Sequence, residues 1–153
     1  MNMNHCAQRI VNCPLFRWIP GMTTIAGKSL IEYSEDCPQQ VWLLDEHGLD
    51  GPQMDRVNAD SIFPDLYDEH TVDCLLKIIN DHIKPSKVVI DHHDSLWYFD
   101  VPLVYRRLGA KAAPPLRSTT NPFIDLYTLT RAELLMYGFE NLWAFIQKGQ
   151  GNE

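Results

Sequence analysis

The chain has no apolar run near the about eighteen residues a membrane-crossing helix requires, so length alone excludes a spanning segment of that kind. Its start, MNMNHCAQRIVNC, lacks the basic opening and apolar centre of a secretory signal, which predicts a protein made and kept in a cytoplasm. Cysteines are few and far apart: Cys6, Cys13, Cys37 and Cys74 form no C-x-x-C pair. Metal knuckles need that spacing to put two ligands on one turn, so free thiols are expected, with Cys74 as a small core residue. The chain also lacks G-x-S-x-G, H-E-x-x-H, a P-loop and a dinucleotide glycine fingerprint, and it has no internal repeat or low-complexity tract. Ser118-Thr119-Thr120 has no evident partner base. These absences argue against an enzyme and against a bound cofactor.

What is present describes a globular protein. The 153 residues are 45% hydrophobic and 22% charged, enough for one domain over 1–153 with a core of its own. Residues 4–15 can form a short helix before the Pro20-Gly21 turn. TIAGKSLIEY (24–33) and QVWLLDE (40–46) read as a first β-hairpin, and HGLDGPQMDRVNAD (47–60) as a polar loop. Ser61-Ile62-Phe63 reads as a short strand before Pro64. Asp68 then caps a helix whose Val72, Leu75, Leu76, Ile79 and Ile83 recur at helical spacing, up to Pro85. A second hairpin pairs Val88-Val89-Ile90 with Leu96-Trp97-Tyr98-Phe99, closed by the polar stretch His92 to Ser95. PFIDLY (122–127) suggests a last strand, and Thr130-x-x-Glu133 is a capping box opening a C-terminal helix. In that helix Gly138 costs about 1 kcal/mol against alanine, a cost that close packing can repay. The expected class is α+β: two antiparallel hairpins forming one sheet, packed against a central and a C-terminal helix. Phe16, Trp18 and Met22, around the Pro-Gly turn, read as core anchors.

Asp91-His92-His93 at a strand end has the residue types of a metal site. It resembles one motif of the DHH phosphoesterases, over about six of the 153 residues. Two-metal chemistry needs several such groups, and the upstream LDEHG (44–48) lacks the paired aspartates. Asp91, His92 and His93 are therefore weak metal candidates, and the stretch reads first as a hairpin.

Charge is segregated. The net charge is −7, yet Glu32 to Asp73 holds twelve acids and only Arg56, while Arg106, Arg107, Lys111 and Arg117 follow one another without an acid. That second span, a flexible basic loop over about 106–121, suits phosphate. Guanidinium forks and the hydroxyls of Ser118 and Thr119 hold oxyanions, and Trp97 and Tyr105 offer faces for base stacking.

FRWIPGM (16–22) and PDLYD (64–68), running on through Thr71 to Cys74-Leu75-Leu76, resemble small proteins of bacteriophages and prophages. The chain differs from these in its longer stretch over 102–129. The resemblance implies a phage accessory protein acting in the cytoplasm of a bacterial host. The leading expectation is a non-enzymatic counter-defence protein, a homo-oligomer, that sequesters a nucleotide-derived signal. One alternative is an inhibitor whose acidic span occupies a host nuclease or DNA-binding protein. The other is a metal-dependent phosphoesterase.

Overall fold

The computed structural model describes residues 2–33, 36, 39–46, 49–84, 87–100, 123 and 126–151. Along them run α1 (Met3–Val11), β1 (Ser29–Tyr33), β2 (Gln40–Asp45), β3 (Gln53–Asn58), α2 (Glu69–His82), β4 (Val89–His93), β5 (Leu96–Asp100), β6 (Tyr127–Thr128) and α3 (Arg131–Gly151). The class is α+β. Both expected hairpins are present, but each gains a third strand, giving two antiparallel sheets ordered β1-β2-β3 and β4-β5-β6 in place of one.

The largest departure from the sequence reading is β3. It lies in the stretch read as a polar loop and pairs residue for residue with β2, from Gln40–Asn58 to Asp45–Gln53. Every residue of β3 except Val57 is exposed, so burial imprinted almost no apolar pattern on it. Gly51, at φ +100°, belongs to the connection that delivers it. Residues 24–28 form a tight turn in place of the first half of a strand. Thr24 and Lys28 close it by a backbone bond of 2.8 Å, and Gly27 takes φ +84°. Ser61-Ile62-Phe63 is no strand either. Ala59–Ser61 is a 3-10 turn, and only Pro64 bridges to Thr24. Helix α1 stops at Val11, short of Pro14, yet Cys13 and Leu15 remain buried beyond it.

One core joins these pieces. Ile10, Trp18, Met22, Leu30, Val41, Leu43, Leu75, Ile79, Leu135 and Phe139 all belong to it. The Phe16–Met22 segment is the anchor its residue types suggest. Trp18 and Met22 are buried, the Trp18 indole donates to Ala59 O at 3.1 Å, and the Trp18 amide donates to the Tyr33 hydroxyl at 2.8 Å. Helix α2 begins at the predicted cap: Asp68 Oδ2 accepts from the Thr71 amide at 2.9 Å and from Thr71 Oγ1 at 2.7 Å. Fully buried Thr71 then accepts from the Thr23 amide at 2.8 Å, tying the helix start to the turn before β1. At the start of α3 the Thr130 cap forms: the Glu133 amide donates to Thr130 Oγ1 at 3.1 Å, and Thr130 Oγ1 donates to Glu133 Oε1 at 3.0 Å. Helices α1 and α3 are pinned by an Arg9–Glu140 fork whose Nε–Oε2 arm is 2.8 Å. No helix among the described residues is long and apolar enough to cross a membrane.

Gly138 shows how the second sheet is seated. A Cβ there would lie 2.7 Å from Phe99 Cζ and 2.8 Å from Phe99 Cε2. The Phe99 ring of β5 thus rests on α3 where a side chain is missing, which accounts for a glycine in mid-helix.

Candidate functional site

The β4-β5 hairpin closes through Asp94-Ser95, both at positive φ (52° and 66°), a two-residue turn of the kind that matches strand twist. The turn is shorter than the sequence suggested, and His92 and His93 lie in the strand. Pairing of Asp91 with Tyr98 and of His92 with Trp97 assigns faces, because alternate residues point to opposite sides. His92 shares its face with Ile90, Trp97 and Phe99. Asp91 and His93 share the other face with Tyr98. The three residues of the metal candidate are therefore split between faces, and no group of three His, Cys, Asp or Glu able to hold a metal occurs among the described residues.

On the first face, half-buried Trp97 collects two partners. The His92 ring stacks on it at 4.5 Å between centroids and 27° between planes, and the Arg131 guanidinium carbon lies 5.6 Å from its ring centre. Arg131 is the first residue of α3. It arrives because β6 pairs with β5, setting Thr128 opposite Trp97 three residues earlier. Arg131 is also ion-paired: its Nη1 donates to both oxygens of Glu69, at 2.8 and 3.0 Å. Glu69 is the first residue of α2, so the ion pair draws two helix N-termini, each with partial positive charge, to one place beside an indole. The Arg131 side chain is 18% exposed and that of Glu69 77%.

On the opposite face the chemistry is anionic and aromatic. Tyr98 Oη donates to Asp91 Oδ2 at 3.3 Å and its ring lies 5.8 Å from that of Tyr127. Burial first, then the Asp91 carboxylate, holds the Tyr98 phenol above its ordinary pKa.

Of the predicted ligand-binding residues, Trp97 is described, and the structure joins it to His92. Tyr105, Arg106, Arg107, Lys111, Arg117, Ser118 and Thr119, with the loop 106–121, lie outside the described residues, as does Cys37. Arg131 and Glu69 were missed by sequence reasoning. Their only local signal is a place just after a helix cap, and nothing in the chain between Trp97 and Arg131 announces the β5-β6 pairing that unites them.

A thiol-imidazole pair also occurs on α2, with Cys74 Sγ 3.7 Å from His70 Nε2. Burial pushes the Cys74 thiol up, and the Asp73 carboxylate adds to that more than Asp68 does. A thiol held neutral is a poor nucleophile. Cys6 and Cys13 are likewise raised, chiefly by burial. Compared with known proteins, the chain matches no family model, no curated protein and no solved structure.

Proposed function

We propose that the protein is a non-enzymatic binder of a nucleotide-derived signal, with Trp97 as the base-stacking platform and Arg131 as the phosphate contact. The observation that carries this reading is the assembly of Trp97, His92 and Arg131 where α2 and α3 begin. Indole faces stack nucleobases with about 1–3 kcal/mol per base. A guanidinium supplies the charge-assisted bonds that phosphate oxygens take, and helix N-termini favour the same anion. Glu69 holds the guanidinium in the free protein, and a phosphate would replace it there. The setting inferred from the FRWIPGM and PDLYD motifs is a phage accessory protein that opposes host defence by sequestering such a signal.

The nucleic-acid-mimic alternative draws less support, since several acids of the Glu32–Asp73 span are engaged locally. Asp68 caps α2, Glu69 pairs with Arg131, Asp55 lies 3.4 Å from Lys28 Nζ, and Asp65 accepts from the Tyr67 amide at 3.0 Å.

The test incubates the full chain with cyclic mononucleotides, cyclic dinucleotides and ADP-ribose derivatives, removes free ligand, and chromatographs what heat releases. A compound retained and released intact supports the reading. Retention should then fall by on the order of tenfold or more in Trp97→Ala and Arg131→Ala, and rise in Glu69→Gln, which frees the guanidinium. A compound released altered identifies an enzyme and overturns the reading. Retention of nothing overturns it too, and moves an inhibitor of a host protein to the front.

A further inference from the structure

The outward face of the first sheet carries a separate proposal. Alternation along β2 sends Val41 and Leu43 into the core and Trp42 and Leu44 outward. Register with the neighbours places Glu32 and Arg56 on either side of Trp42, and Ser29 and Met54 on either side of Leu44. Trp42, Leu44 and Met54 stand outside the core cluster, and Met54 is 52% exposed. Arg56 leans over Trp42, with 5.8 Å from guanidinium carbon to ring centre.

The row Glu32–Trp42–Arg56 is the informative part. Strands lie about 4.8 Å apart, so the Glu32 and Arg56 backbones stand about 10 Å from one another with Trp42 between them. Among the described residues neither Glu32 nor Arg56 makes an ion pair, although both are exposed. Consider a second copy laid face to face about a two-fold axis parallel to the strands and passing over Trp42. Such an axis sets the two indoles against each other. It also places Glu32 of each copy over Arg56 of the other, forming two symmetry-related ion pairs around an apolar centre. Self-complementarity of this kind is what an isologous interface requires.

We infer that this face is a homodimer interface centred on Trp42, with Leu44 and Met54 beside it and reciprocal Glu32–Arg56 pairs at its margin. It is independent of the Trp97 site, which lies on the other sheet.

Sedimentation of the full chain across a concentration series tests it. The expected result is a reversible monomer–dimer equilibrium. Glu32→Arg and Arg56→Glu should each weaken it by on the order of tenfold or more, because each sets like charges opposite one another. The double variant, Glu32→Arg with Arg56→Glu, should regain most of the loss, since the reversed charges pair again. Trp42→Ala should weaken association whatever the charges. These side chains point away from the core, so thermal unfolding of the variants is the control for folding. A chain that stays monomeric throughout, its face serving another protein or none, overturns the inference. So does a double variant no better than the singles.

Discussion

Each of the two sheets has three antiparallel strands, but they are held to the core in different ways. The β1-β2-β3 sheet contributes Leu30, Val41 and Leu43, each at most 2% exposed, and its first strand is stitched to the Trp18–Thr23 anchor through backbone bonds such as Leu30 N to Met22 O at 2.8 Å. In the β4-β5-β6 sheet no residue of β4 or β5 is fully buried. It is seated by the Phe99 ring over Gly138, by buried Val88 just before β4, and by Asn80, whose side chain clasps the Val88 backbone at 2.9 and 3.1 Å. A sheet held at a few points keeps its Trp, Tyr and His side chains half in solvent, where a ligand can reach them. A sheet fixed by buried side chains of its first two strands offers a partner chiefly its outer face.

This contrast can be broken by mutation. The largest effect is expected for Leu43→Ala, about 2–5 kcal/mol of unfolding free energy from lost burial and the cavity left behind. Trp97→Ala should cost about 1 kcal/mol or less, since it removes a half-exposed stack and a cation–π contact. Denaturant melts giving equal losses for the two would erase the distinction between the sheets. Next comes Gly138→Val, which pushes a side chain into the Phe99 ring and should cost about 1–3 kcal/mol. Placed in a Phe99→Ala background, the same change should cost clearly less. If it does not, the ring is not what seats the sheet.

Asn80→Ala removes both partners of the Val88 backbone and should cost about 1–3 kcal/mol, with faster amide exchange at Val88 as its local signature. The smallest effect belongs to Asp81. A hydrogen bond from Lys84, then one from Arg17, holds its carboxyl below the usual carboxylate range. The folded-state pKa is depressed, so the stabilisation is present above the ordinary aspartate value and disappears as pH falls through the folded value. Asp81→Asn should therefore melt slightly below the parent at neutral pH and converge with it in acid. A gap that persists at low pH would show that the ion pairs are not its source.

What was legible in the sequence follows the same division. The caps Asp68 and Thr130, the stripe on α2, the Trp18–Met22 anchor and both hairpins leave strong local patterns, because local hydrogen bonds or deep burial dictate their residues. Strand β3 left almost none, since on this exposed edge strand only Val57 meets the core. The join into two sheets was also hidden, because β6 is a two-residue strand beginning at the last residue of the segment that suggested it. At the candidate site Trp97 could be singled out as an aromatic in a strand. Arg131 could not, because its part depends on a pairing between segments far apart in the chain.

The most direct measurement is a nitrogen-correlated NMR spectrum of the indole N–H groups of Trp18, Trp42, Trp97 and Trp143, recorded while a cyclic dinucleotide, a cyclic mononucleotide and ADP-ribose are each titrated in. The account predicts that at least one of these probes moves the Trp97 resonance, while Trp18, locked to Ala59 O in the core, stays in place. A Trp97 signal that none of them moves, or a shift centred on Trp42, would contradict it.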